Sequence, residues 1–234
     1  MRHTAVEEWS RGASPLHRLN PVAKLFPLAV FLAALATAHR ELPPLGIGLG
    51  LLLVTGILAA RLPVLGVMLR GGVVLPFSGV FALVSWLAGD PVRAIELVLK
   101  SYLSALAVLL VVATTPVPAL LHSLERLGVP AFLLTVAQFL YRYLFVISGE
   151  AYDMRTAAAA RGGLTFRAAS GALAVLFARS YSRAGQVHRA MLARGFTGRF
   201  VPMSPPRLTA VDLLFATLAA VAVIVLRVAV ERLA

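Results

Sequence analysis

The chain has 234 residues, of which 59% are hydrophobic, and its mean hydropathy is +0.86. Soluble domains contain roughly 45–50% apolar residues, and here the apolar residues form long blocks, so the composition excludes an ordinary soluble domain and indicates an integral membrane protein. The net charge of +12 would suggest a nucleic-acid partner in a soluble chain. Because the basic residues flank hydrophobic runs, positive-inside bias explains them, and we expect no nucleic-acid partner.

The N-terminal residues 1–19 form a basic leader without the apolar core of a cleavable signal peptide. Asn20-Pro21 then predicts a helix start, with an Asn cap and Pro in the first turn. Residues 61–70 are predicted as a short basic loop. Gly46 and Gly50, four apart, share a helix face that permits close packing, and the alternative is that Gly is simply common in membrane helices. Five membrane spans are predicted, at about residues 25–38, 45–60, 71–89, 98–113 and 210–230.

The apolar residues 131–149 are long enough to be a sixth span, and charge argues against that assignment. If this segment does not cross, residues 1–24, 61–70 and 115–209 share one side of the membrane with 17 of the 22 Lys and Arg residues, leaving 5 opposite. Such asymmetry is typical of a multi-pass protein of the bacterial-type inner (plasma) membrane with its N-terminus in the cytoplasm. The sequence therefore predicts an all-α helix bundle of about five spans. Its organisation is a membrane bundle (residues 1–115), a cytoplasmic coupling segment (116–208) and a final span (209–234).

Two long helices are predicted in the coupling segment, at residues 131–161 and 166–194, each about 45 Å long. Both end in the same tripeptide, Ala160-Arg161-Gly162 and Ala193-Arg194-Gly195. Gly is the usual residue just past a helix end and a cation complements the helix dipole there, so capping alone explains one occurrence. Two occurrences favour a shared task, because an Arg at a helix tip between small residues suits insertion into an acidic or carbonyl-lined groove.

Polar residues within the apolar part of the first long helix form a second candidate site. Gln138 and Arg142 lie one turn apart, and an ionisable residue in such surroundings is usually paired or functional. We expect Arg142 to pair with a carbonyl or with a carboxylate such as Glu150 or Asp153, and a role in transmitting motion is the alternative.

The chain resembles the transmembrane T component of energy-coupling factor (ECF) transporters, and most of all the CbiQ-like proteins of the cobalt/nickel subtype. In that family the paired tripeptides dock into two ATP-binding-cassette ATPases, so the resemblance implies that Arg161 and Arg194 dock, with Ala160, Gly162, Ala193 and Gly195 as their setting. It also implies a small substrate-binding membrane subunit as a further partner. The matching stretches are Leu19-Asn20-Pro21 with Lys24 and Leu25, Thr114-Thr115-Pro116, residues 124–130, Tyr141-Arg142-Tyr143 through Glu150, the two tripeptides, and residues 191–198.

The chain departs from the family at its first span, where members usually carry Asp in place of Asn20 and Arg in place of Val22 or Ala23. This weakens the case for an ionic contact at the N-terminus. The sequence contains no P-loop, so ATP and Mg would be cofactors of the partner ATPases and not of this chain. The five histidines are scattered and cysteine is absent, so we expect no metal site and no cofactor within the chain.

Two other classes of function stay open from the sequence. A substrate-conducting permease would carry polar or ionisable residues along a pathway, and the predicted spans carry few. An intramembrane enzyme would need a converging catalytic set, which the spacing of the histidines and carboxylates does not provide. Both features favour a non-catalytic coupling subunit of an importer.

Overall fold

The computed structural model describes residues 9–10, 12, 14–38, 42–162, 166–198 and 208–233, and these contain helices and no strand. The predicted all-α fold is therefore confirmed. The chain divides into two compact units, a bundle of residues 2–120 with 205–234 and a second unit of residues 121–204. The helices are α1 (Pro15–Arg18), α2 (Pro21–Thr37), α3 (Leu42–Ala59), α4 (Val64–Gly71), α5 (Leu75–Leu87), α6 (Pro91–Ala113), α7 (Val117–Arg126), α8 (Ala131–Ala160), α9 (Phe166–Ala193) and α10 (Ala210–Leu233).

The bundle is organised around α2, α3, α6 and α10, which pack on one another. Helix α2 begins as predicted, because the Asn20 side chain accepts a hydrogen bond from the Val22 N–H at 3.0 Å and Pro21 occupies the first turn. Leucines of α3 that recur every four residues are almost fully buried against these neighbours. The core contains Phe31, Leu35, Leu45, Leu49, Leu53, Ile57, Leu103, Leu106 and Val223.

Small residues of α3 allow its neighbours to approach closely. A methyl group at Gly46 would lie 2.8 Å from Leu99 Cδ2 and one at Gly50 would lie 3.8 Å from Leu103 Cδ2, both on α6. The predicted packing face is thus confirmed. Gly48 lies on another side of the helix, where an added methyl group would overlap the Leu226 side chain of α10.

We expect Gly48→Leu to lower the stability of the bundle by about 1–3 kcal/mol, because the larger side chain would force α3 and α10 apart. The thermal unfolding midpoint in mild detergent measures this effect. Gly79→Leu is the matched control, since a methyl group at Gly79 would meet no atom within 4 Å among the described residues. Equal midpoints for the two variants would show that α3 and α10 do not pack closely at Gly48.

The predicted loop at residues 61–70 is wrong. Only the turn before Val64 is non-helical, and α4 then runs through one 3-10 turn, Gly72–Val74, into α5. The apolar residues between the two arginines extend the helix, and Val67 is fully buried. The fourth predicted span also begins too late, because the Asp90 side chain caps α6 by accepting a hydrogen bond from the Arg93 N–H at 3.1 Å.

Within the described residues, four helices are long and apolar enough to cross a membrane, namely Val64–Leu87, Pro91–Ala113, Ala131–Ala160 and Ala210–Arg232. Two shorter apolar helices, Pro21–Thr37 and Pro44–Ala59, lie in the bundle. These features identify a polytopic membrane protein. The assignment of five spans, with residues 131–149 not crossing, stays a prediction.

In the second unit α8 and α9 pack against each other and run antiparallel. Thr135 Oγ1 near the start of α8 donates to the Gly198 carbonyl beyond the end of α9 at 3.3 Å, and Glu150 pairs with Arg183 further along both helices. The two long helices predicted at residues 131–161 and 166–194 are therefore confirmed as elements.

Candidate functional site

The tip of α8 is a helix end closed by glycine. Arg161 follows the last helical residue, and its N–H donates to the Ala158 carbonyl at 3.1 Å. Gly162 has φ of 108° and its N–H donates to the Ala159 carbonyl at 3.4 Å. This left-handed conformation favours glycine, so Gly162 terminates the helix.

The tip of α9 has the same construction. Gly195 has φ of 75° and its N–H donates to the Leu192 carbonyl at 3.0 Å, while the Phe196 N–H donates to the Met191 carbonyl at 3.0 Å. These two bonds form a complete Schellman motif. The glycines of both tripeptides are thus explained by helix termination.

Helix termination requires the glycines and not the arginines, although a positive charge at this end complements the helix dipole. Arg161 and Arg194 are exposed, and neither guanidinium forms a hydrogen bond or ion pair with another described residue. The glycine beside each arginine is also exposed, and an added methyl group would meet no described atom within 4 Å. Each tip therefore presents five unused guanidinium donors next to accessible backbone.

The tips lie at opposite ends of the antiparallel pair. Arg161 ends α8, whereas Arg194 lies near the level of Phe139, because Met191 and Phe196 line a shared cavity with it. Twenty-two residues of α8 separate these levels, a distance of about 33 Å along the axis. The two tips are therefore too far apart for one small protein surface to contact both easily.

The space between α8 and α9 is an apolar cavity of about 530 Å³ with one ion pair at its edge. The Arg183 Nη2 atom donates to the Glu150 Oε1 atom there. The cavity is lined by Phe139, Leu140, Tyr143, Leu144, Ile147, Ser180, Arg183, Ala184, Val187, His188, Met191 and Phe196.

The structure gives Glu150 a different partner from the expected one. Arg142 lies eight residues before Glu150 on the same helix, about 12 Å along the axis, so the two groups are too far apart to pair. Arg142 is exposed and Gln138 is half-buried, and among the described residues Arg142 forms no ion pair. The structure therefore does not bring Gln138, Arg142 and Glu150 together as one site.

Sequence reasoning missed a largely buried polar cluster in the bundle, which we call the polar clamp (Asn20, Lys24, Thr114, Thr115, Thr209 and Asp212). Lys24 lies within α2 and is only 4% exposed, although the first span was predicted to begin after it. Its Nζ atom donates to the Thr114 carbonyl and to Thr115 Oγ1, both at 2.9 Å. The ammonium group thus caps the C-terminus of α6, where the helix dipole favours a cation.

Asp212 forms the other half of the polar clamp. Its Oδ2 atom accepts from the Thr209 N–H at 2.8 Å and from Thr209 Oγ1 at 2.7 Å, which caps α10. Its Oδ1 atom accepts from the Asn20 N–H at 2.8 Å, so the same carboxylate holds the start of α2. The Thr-x-x-Asp spacing is a capping signature that could have revealed the first contact, whereas only the fold shows the second.

The described residues contain no group of three or more His, Asp or Glu side chains that could hold a metal ion. What they do contain is a bundle of apolar helices and a second unit with two exposed basic tips, which define a polytopic α-helical membrane protein.

The comparisons with known proteins identify its family. A family model described as CbiQ, cobalt transport protein, matches residues 12–205, and the chain therefore belongs to this family. The chain is 31% identical over 119 residues to the cobalt transport protein CbiQ of Rhodobacter capsulatus. That match covers 49% of each protein, so the chain spans about half the length of this curated relative. Family membership identifies a membrane transport component rather than a catalytic enzyme, and the resemblance to CbiQ-like T components is confirmed.

Proposed function

We propose that this chain is the transmembrane coupling subunit of an ECF-type importer for cobalt or nickel. It links two cytoplasmic ABC-type ATPases to a small substrate-binding membrane subunit. Membership of the cobalt transport protein family supports the substrate class. The observation that carries the coupling role is the pair of exposed tips, each with an unused guanidinium among the described residues, about 33 Å apart along α8.

The energy source in this proposal is external to the chain. The sequence contains no Gly-x-x-x-x-Gly-Lys-Ser/Thr segment, and its two lysines are Lys24 and Lys100, so ATP and Mg would bind to the partners. We place the N-terminus and α8 to α9 on the cytoplasmic side of the bacterial-type inner membrane, where the distribution of Lys and Arg favours them.

The proposed mechanism is mechanical coupling. ATP binding brings the two ATPases together, and each tip follows the ATPase that holds it. Helices α8 and α9 then transmit the displacement to the membrane part, and the substrate-binding subunit changes orientation or releases its substrate. The Glu150–Arg183 pair supports this role, because it fixes the two helices to each other between the tips.

Copurification from the native host tests the proposal. We expect native mass spectrometry of the tagged chain in mild detergent to show two ATPase copies and one small membrane subunit. A chain that purifies alone or as a homo-oligomer would contradict the coupling role.

Cross-linking from single cysteines tests which residues dock. The chain contains no cysteine, so Ala160→Cys and Ala193→Cys each introduce one exposed thiol beside a tip arginine. With a thiol-linked photocross-linker, we expect both variants to give a product with an ATPase. Ala151→Cys is the matched control, because it is exposed on α8 about 13 Å before the tip. Equal ATPase cross-linking from Ala151→Cys would contradict docking at the tips.

A further inference from the structure

The predicted coupling segment, residues 116–208, directly follows Thr115 and directly precedes Thr209, and the polar clamp binds both of these residues within the bundle. Lys24 binds the exit through its two 2.9 Å hydrogen bonds to Thr114 and Thr115. Asp212 binds the return through Thr209. The first turn of α2 joins the two halves, since it carries Lys24 and is bound to Asp212 through the Asn20 N–H.

Five of the six residues of the polar clamp are buried, and Thr209 alone among them is exposed. Lys24 and Asp212 are each 4% exposed, and Thr114 and Thr115 are 1% and 2% exposed. Within the described part of the chain no buried side-chain polar atom lacks a hydrogen-bond partner. A buried polar network in which every member is satisfied is rigid, because breaking one bond leaves a charge or a donor without water.

We propose that Lys24 and Asp212 are positioning residues for transport, which fix both chain ends of the coupling segment to α2, α6 and α10. This inference rests on the proposed function. A displacement that the ATPases impose on the segment then moves three bundle helices together. Without the polar clamp, Thr115 and Thr209 would move without displacing the bundle helices. ATP hydrolysis would then continue without transport.

The two lysines of the chain provide a matched pair of variants for the test. Lys24 Nζ and Lys100 Nζ each bind the carbonyl that ends a bundle helix, Thr114 for Lys24 and Ala38 for Lys100. Only the contact of Lys24, with Thr114 and Thr115, lies at an end of the coupling segment. We expect Lys24→Met to keep its copurifying ATPases and their ATP hydrolysis while metal uptake per ATP hydrolysed falls roughly tenfold or more. Lys100→Met should keep the wild-type ratio, and Lys24→Arg, which retains charge and donors, should restore most of it.

The outcomes separate this inference from the proposed function. A wild-type chain without ATPases would overturn both. Wild-type coupling in Lys24→Met, or a loss of ATPases together with uptake, would overturn the inference alone, because the residue would then be neutral or needed only for assembly.

If the Lys24→Met protein does not accumulate in the membrane, a milder substitution can test the same inference. Thr115→Val removes one hydroxyl acceptor and keeps the shape of the side chain. We expect a several-fold lower ratio of uptake to hydrolysis with the ATPases retained. Thr217→Val is its control, since Thr217 is exposed and its hydroxyl donates within α10, to the Leu213 and Leu214 carbonyls. Equal ratios in these two variants would overturn the inference.

Discussion

Arg161→Ala and Arg194→Ala are each expected to weaken ATPase binding by about 30-fold, and the double variant is expected to lose the ATPases on purification. Each substitution removes an exposed guanidinium that has no described partner within the chain, so folding and membrane insertion should not change. The measurement is the ATPase-to-chain ratio across a dilution series in detergent, together with metal uptake in cells.

Matched controls come from the same two helices. Arg155 and Arg189 are exposed on α8 and α9, within two turns of the tips, and their alanine variants remove the same charge without changing either tripeptide. We expect both controls to retain the ATPases. Arg161→Lys should be intermediate, because lysine keeps the charge and loses the planar fork of donors. Normal uptake and normal ATPase stimulation in the double alanine variant would contradict docking through the arginines.

The local parts of the fold were readable from the sequence. Asn20-Pro21 marks the start of α2, and Gly162 and Gly195 mark the ends of α8 and α9, because caps and left-handed glycines depend on a few neighbouring residues. The positions of the two helix tips could be predicted for the same reason, because they depend on local sequence. Residues 61–70 were misread as a loop because two arginines outweighed the apolar residues between them.

Contacts between segments that are distant along the chain could not be predicted from the sequence. Asp212 is 192 residues from Asn20 along the chain, and Arg183 is 33 residues from Glu150. No spacing rule relates such positions, because tertiary packing decides which helix faces which. The expected pairing of Arg142 with a carbonyl or with Glu150 or Asp153 shows the same limit, since Glu150 pairs instead with Arg183 of α9.

Three cations of the bundle share one arrangement that the sequence did not suggest, and of these Lys24 is buried while Lys100 and Arg227 are half-buried. Lys24 binds the carbonyl at the end of α6, and Lys100 binds the carbonyl at the end of α2. Arg227 of α10 adds bonds to the Ala34 and Thr37 carbonyls at 3.3 Å each. Helix C-termini carry partial negative charge and unused carbonyls. Helix C-termini therefore bind all three cations, and Arg227 has a carboxylate partner as well, Glu231 at 2.7 Å.

Asp212 is the carboxylate in the described part of the bundle that ties two helices together, and its loss should be costly. We expect Asp212→Ala to lower stability by about 3–5 kcal/mol, because it leaves the buried Asn20 N–H without an acceptor and removes the negative charge nearest to Lys24. The Thr209 donors add little to this cost, since Thr209 is exposed and water can replace the carboxylate there. The thermal unfolding midpoint of the purified chain measures the effect.

Asp90 provides the comparison that isolates the contact between helices. It also caps a bundle helix through a backbone N–H, that of Arg93 at 3.1 Å, but it is exposed. Asp90→Ala should therefore cost about 1 kcal/mol, the usual value for a lost N-cap. The stability of Asp212→Asn should lie between those of the two alanine variants, because the amide oxygen can still accept one hydrogen bond but carries no charge. If Asp212→Ala lowers the stability no more than Asp90→Ala does, the carboxylate acts only as a cap for α10. The link from α10 to α2 would then contribute nothing to stability.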